Sequence, residues 1–148
     1  MEIERKFLVK EIPNLTNIEH KNIIQVYVTN PKFRARKMDN KYFITQKSDG
    51  TLVREEIEWE ITEQEWLSYY NKYKDVSVEK TRYFIPLDSY VAELDIYEGK
   101  NKGLLTVEVE FPSYEEAVRF TPPSWFGEDI TEKLEYQNKN LAINPRNC

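Results

Sequence analysis

Residues Met1–Val9 read MEIERKFLV, and the alternation Glu2-x-Glu4-x-Lys6 within them decides the fold. On a strand, alternate side chains share a face. Glu2, Glu4 and Lys6 then point one way, and Ile3, Arg5 and Phe7 the other. Taken alone, the stretch reads as a solvated edge strand with ordinary surface charges. Two carboxylates at this spacing also suit a hard divalent cation, and a neighbouring ammonium suits a phosphate. The rest of the chain decides between these readings.

The same period of two recurs, predicting strands near 1–9, 22–29, 32–39, 41–48, 52–61, 77–86, 90–98 and 104–111. Asn30-Pro31, Asp39-Asn40 and Ser48-Asp49-Gly50 are turn signals that make consecutive antiparallel hairpins. Thr62-x-x-Glu65 is a capping box opening a helix, EQEWLSYYNKYK. Ser113-x-x-Glu116 opens a second, short helix, which Pro122-Pro123 stops. EKLEYQNKNLA, after Thr131, reads as a third. With no repeat and no linker, residues 1–148 read as a single domain, the usual size for one.

The strands have two very different faces. One carries Ile3, Phe7, Ile24, Val26, Val28, Ile44, Ile57, Trp59, Leu94, Ile96, Val107 and Val109. The other carries Glu2, Glu4, Lys6, Arg34, Arg36, Lys47, Arg54, Glu56, Glu58, Lys80, Arg82, Glu93, Asp95, Glu108 and Glu110. A polar face normally mixes charge with Ser, Thr and Asn and simply meets water. This one is nearly pure charge. An even set of strands closing into an antiparallel barrel, charged face inward, explains the purity. The fold class is therefore α+β: an eight-stranded closed β-barrel, a tunnel, with helices packed outside. Its outward apolar face needs cover from those helices or from a partner chain, as in a homodimer.

Composition excludes several functions. The net charge of −5 does not favour nucleic acid. No apolar stretch is long enough for a signal peptide or a membrane-spanning helix, and charges such as Arg5 and Lys37 on the outer face argue against a membrane barrel. The lone Cys148 permits no internal disulfide and fits a reducing, cytoplasmic setting. One Cys and one His leave no zinc-type site. There is no Walker loop and no Ser-His-Asp arrangement.

The inward charges segregate. Basic residues come mainly from the third, fourth and sixth strands, and acidic ones from the first, seventh and eighth. Arginine forks and lysine point charges suit phosphate oxygens. A carboxylate wall suits Mg²⁺ or Mn²⁺, which prefer oxygen ligands. Buried ion-pair networks compete for the same residues. The chemistry that fits is phosphoryl transfer to water, with the phosphates held in line and the developing charge neutralised.

At this point the motifs resemble a known family. The opening Glu2-Ile3-Glu4-Arg5-Lys6-Phe7-Leu8-Val9 is followed by Gln25-x-Tyr27, Arg34-x-Arg36, Thr45-x-Lys47 and Arg54-x-Glu56-x-Glu58. Lys80-x-Arg82, Glu93-x-Asp95, Glu108-x-Glu110 and Tyr136-x-Asn138-x-x-Leu141-Ala142 complete the series. The ordered set resembles the CYTH superfamily, the triphosphate tunnel metalloenzymes. The resemblance implies metal held by Glu2, Glu4, Glu108 and Glu110, with Asp95 close by. It implies phosphate bound by Lys6, Arg34, Arg36, Lys47, Arg54, Lys80 and Arg82. It gives Glu56 and Glu58 a role in placing a second metal or the attacking water, with Lys6 and Arg54 beside the reacting phosphate. The expected activity is divalent-metal-dependent hydrolysis of a small-molecule triphosphate, inorganic triphosphate first. Nucleoside and thiamine triphosphatase, class IV-type adenylate cyclase and non-catalytic polyphosphate binding are the alternatives. One departure concerns the C-terminal segment. Relatives commonly carry an acid and then a base before the tyrosine, where this chain has Lys133 and Glu135.

Overall fold

Alternation becomes strand throughout the computed structural model, which describes residues 2–29, 32–48 and 52–146. The strands are β1 (Glu2–Val9), β2 (His20–Thr29), β3 (Lys32–Met38), β4 (Lys41–Lys47), β5 (Val53–Arg54), β6 (Glu56–Ile61), β7 (Ser77–Leu87), β8 (Tyr90–Glu98), β9 (Leu105–Glu110) and β10 (Phe126–Asp129). The helices are α1 (Glu63–Tyr73), α2 (Tyr114–Arg119) and α3 (Asn138–Ile143). The turns expected at Asn30-Pro31 and Asp49-Gly50 lie outside the described residues. At the Asp39-Asn40 turn, Asp39 adopts a left-handed φ of 51° and its Oδ1 accepts from Asn22 N at 2.9 Å.

The strands run antiparallel in the order β1-β9-β8-β7-β2-β3-β4-β6. β6 continues back through β5, which pairs with β1 at Glu2↔Arg54 and Ile3↔Val53. That two-pair ladder closes the barrel. With β5 and β6 taken as one bent stave, the ring has the expected eight, and β10 is an addition to the edge of β1.

Charged residues keep step around the ring. Glu4 pairs with Glu110 and Lys6 with Glu108. Gln25 pairs with Arg36, Arg34 with Thr45, Lys47 with Glu56, and Arg82 with Asp95. One register therefore puts them on the same face of the sheet. The apolar face is covered from outside. α2 and β10 bring Ala117 and Phe126 onto Ile3, Phe7, Val107 and Val109, and α1 brings Trp66 onto Val26, Ala35 and Ile44. Ile57 and Trp59 on β6 remain exposed. A third cluster, Val78, Tyr97 and Leu104 with Leu141 and Ala142 of α3, caps one end of the barrel.

The two expected caps are built as the sequence requires. Thr62 Oγ1 accepts from Glu65 N at 3.2 Å while Glu65 Oε1 accepts from Thr62 N at 3.3 Å. Ser113 Oγ accepts from Glu116 N at 3.2 Å. The third helix differs from expectation. Residues 134–136 form a single 3₁₀ turn, Gln137 is extended at ψ 139°, and α3 begins only at Asn138. Tertiary partners override helix propensity here. The Tyr136 carbonyl accepts from Lys6 Nζ at 2.7 Å, and Asn138 Oδ1 accepts from Tyr97 OH at 2.6 Å. β10 carries no alternation signal. Its Gly127 runs so close to β1 that a Cβ would sit 3.1 Å from Leu8 O. No helix among the described residues is long and apolar enough to cross a membrane.

Candidate active site

A cavity of about 400 Å³ opens beside α3, at the barrel end where β2 and β3 meet. Glu4 and Lys6 of β1, Arg34 and Arg36 of β3, Lys47 of β4, Arg54 of β5, Arg82 of β7 and Glu108 of β9 all line it. Residues more than a hundred positions apart are thus gathered by the ring closure alone.

The basic wall is short of counter-ions. Among the described residues no ion pair reaches Arg34 or Arg36. Arg34 Nε is buried with no hydrogen-bond partner. Arg36 Nε donates to Gln25 Oε1 at 3.2 Å, and Gln25 Nε2 to Tyr27 OH at 2.6 Å. Burial, followed by the neighbouring Arg34 and Arg82 charges, depresses Arg36 to about 9. An anion beside Arg36 would offset both the burial and the neighbouring positive charge.

The acidic wall is strained in the opposite sense. Burial first, and Glu108 second, push Glu4 up to about 8. Burial raises Glu2 too, and Glu56 beside it adds to the shift against Lys47. Glu108 itself is held well below the usual carboxylate range, because Lys6, Arg82 and Lys80 outweigh the effect of burial. Opposed like charges, Glu4 with Glu110 and Glu93 with Glu108, are unfavourable across antiparallel strands.

Ion pairs tie the walls together. Lys47 Nζ lies 3.0 Å from Glu2 Oε1, an oxygen that is buried with no hydrogen bond. Arg54 Nη2 donates to Glu4 Oε1 at 2.8 Å, and Lys6 Nζ stands 3.7 Å from Glu108 Oε1.

The remaining expected residues lie elsewhere. Asp95 and Lys80, expected on the metal and phosphate walls, do not line the cavity. Both side chains are fully buried, and Asp95 takes a two-pronged bond from Arg82 at 2.8 and 2.9 Å. Lys80 Nζ lies 2.8 Å from Asp95 Oδ2 without the direction a hydrogen bond needs. Burial lowers Lys80 to about 7 despite that carboxylate. Glu110 is exposed beside a second depression, with Glu93 and Phe111. Glu56 and Glu58 are exposed on β6, where Thr45 Oγ1 donates to Glu58 Oε2 at 2.8 Å.

The donor set suits a hard cation. Glu2, Glu4 and Glu108 offer only oxygen, Glu2 Oε1 lacks a hydrogen bond, and Glu4 resists its own charge. Among the described residues, no three acidic side chains already converge on one point. A cation would have to draw them from their basic partners.

The sequence reading missed the C-terminal contribution. Thr131, Lys133, Asn138 and Lys139 also line the cavity. Thr131 Oγ1 accepts from Lys6 N at 3.0 Å, and Lys133 pairs with Glu128 of β10. Glu135 pairs with Arg146 at 3.7 Å, so the reversed pair points to two separate partners. The basic character of Lys133 and Lys139 was the available signal, and neither stood among the expected phosphate-binding residues.

Known proteins share this sequence pattern and fold. The CYTH domain family model matches residues 1–142. An inorganic triphosphatase of Nitrosomonas europaea is 41% identical over 147 residues, spanning 96% of this chain and 97% of the relative. An inorganic triphosphatase of Acetivibrio thermocellus is 34% identical over 150 residues, spanning 97% and 94%. A crystal structure of an inorganic triphosphatase superposes with a TM-score of 0.76 at 38% identity, covering 97% of this chain and 95% of that one. Charged barrel, motif order and full-length match agree, and the chain belongs to the CYTH domain family.

Proposed function

We propose that this chain is a divalent-metal-dependent triphosphatase, hydrolysing inorganic triphosphate to pyrophosphate and phosphate. The carrying observation is the pair of opposed walls: Arg34 and Arg36 without a carboxylate ion pair among the described residues, and Glu4 driven up to about 8 beside Glu108. A phosphate chain relieves the first strain and a cation the second. The relatives named inorganic triphosphatase support the same substrate.

In this reading the arginine forks of Arg34 and Arg36 hold the phosphate chain, with Lys6, Lys47 and Arg54 releasing their carboxylates to join them. Glu2, Glu4, Glu108 and Glu110 would hold Mg²⁺ or Mn²⁺, which would supply charge neutralisation at the phosphate oxygens. Asp95, with Lys80 beside it, holds Arg82 in place from behind the wall. Glu58, fixed by Thr45, and Glu56 orient the attacking water and receive its proton. The water oxygen bonds to the terminal phosphorus, the bridging P–O bond breaks, and pyrophosphate leaves. The lone Cys148 fits a cytoplasmic setting, and residues 1–148 act as one domain.

Phosphate release from tripolyphosphate, ATP and thiamine triphosphate, measured with and without Mg²⁺ or Mn²⁺, tests the reading. Metal-dependent release, fastest from tripolyphosphate, is expected. No metal-dependent release from any of the three overturns it.

A further inference from the structure

We propose that Lys139 is a further substrate-binding residue, holding the outermost phosphate of the chain at the cavity mouth. This rests on the triphosphatase reading and adds a residue from outside the barrel staves. Lys139 lies on α3, yet it lines the same cavity as Arg34 and Arg36. It is half-buried and makes no ion pair or hydrogen bond with the described residues. The cavity cations Lys6, Lys47, Arg54 and Arg82 each stand beside a carboxylate of the barrel, and Lys133 stands beside Glu128. Lys139 therefore joins Arg34 and Arg36 as positive charge without a counter-ion among the described residues. A cavity-lining ammonium with no carboxylate beside it among the described residues is free to take an anion that enters the cavity.

Its backbone is held in advance of binding. Leu141 and Ala142 are buried in the cap, Asn101 Nδ2 donates to Leu141 O at 3.2 Å, and Tyr97 OH donates to Asn138 Oδ1 at 2.6 Å. Lys6 Nζ, bound to the Tyr136 carbonyl, links the same segment to the phosphate wall. Depth assigns the position. Arg36 is only 8% exposed and lies inward of Arg34, whereas α3 packs on β2 and β7 beside the cavity. The inner phosphates meet the arginine forks, and a lysine point charge meets the terminal phosphate. On this assignment pyrophosphate seated on the forks leaves Lys139 unfilled, and the comparison of the two ligands tests that.

The test is Lys139→Gln, with Lys139→Arg alongside. Calorimetric affinities for tripolyphosphate and pyrophosphate are measured in metal-free buffer, and KM and kcat for tripolyphosphate with Mg²⁺. Lys139→Gln should weaken tripolyphosphate binding and raise KM about tenfold, the size of one charge-assisted hydrogen bond, while kcat and pyrophosphate affinity stay within about twofold. Lys139→Arg should restore most of the loss. Unchanged tripolyphosphate affinity in Lys139→Gln, or equal losses for both ligands with an unaltered melting temperature, overturns the assignment. Wild-type protein that binds tripolyphosphate without hydrolysing it overturns the triphosphatase reading, while the affinity difference still decides Lys139.

Discussion

Glu4 shows how the site is stressed before any ligand arrives. Its ordinary value is 4.5 and its folded value about 8. Between those pH values the folded chain keeps a proton that the unfolded chain has released, so stability falls as pH rises through that window. Thermal midpoints of metal-free protein should decline from pH 5 to 8, and Glu4→Gln should flatten the decline. A parallel decline in that variant would mean the slope belongs to other groups. The division into walls makes a second prediction. Glu108→Gln should abolish turnover while leaving tripolyphosphate binding partly intact, whereas Arg34→Gln with Arg36→Gln should chiefly raise KM. Identical behaviour of the two variants would refute separate walls. Behind the walls, Asp95→Asn leaves Arg82 and Lys80 facing one another without their shared carboxylate. It should cost about 3–5 kcal/mol in denaturant unfolding, and a loss below about 1 kcal/mol would show that the network is not what holds Arg82.

At the scale of elements, local rules and tertiary partners divide the outcome. α1 rests on its own capping box, so Thr62→Ala should cost about 1 kcal/mol of stability and leave kcat unchanged; a fall in kcat would tie α1 to the site. Strands and the first two helices were legible because alternation and caps are local properties of the chain. The break at Gln137 was not, since it depends on Lys6 reaching the Tyr136 carbonyl across the fold. β10 was hidden for a similar reason, Gly127 being there for Leu8 rather than for any pattern of its own. The site divides the same way. Alternating charges marked which residues turn inward. Only the β7–β8 register, Arg82 opposite Asp95, decides that Asp95 takes its bonds from Arg82, with Lys80 beside it, and that neither Asp95 nor Lys80 lines the cavity. Glu110 was placed on the correct face but at a depth that no spacing reveals.

At the scale of the molecule, the ring is held at one place by very little. β5 contributes two residue pairs to β1, joined by the bond from Glu4 N to Leu52 O at 3.0 Å. Eight strands are thereby closed through the same few residues that carry Glu2, Glu4 and Arg54. Native-state hydrogen exchange should find the Glu4 amide opening well before those of β8, and tripolyphosphate with Mg²⁺ should slow it toward their rate. Exchange at Glu4 as slow as in β8 without ligand would contradict this. The consequence is mechanical. An enzyme whose seam is stitched with its own working groups has no way to come unzipped and stay active. Loosening of the first strand silences catalysis before the remaining staves separate, and the substrate that spans the two walls acts as the rivet that keeps the hoop closed.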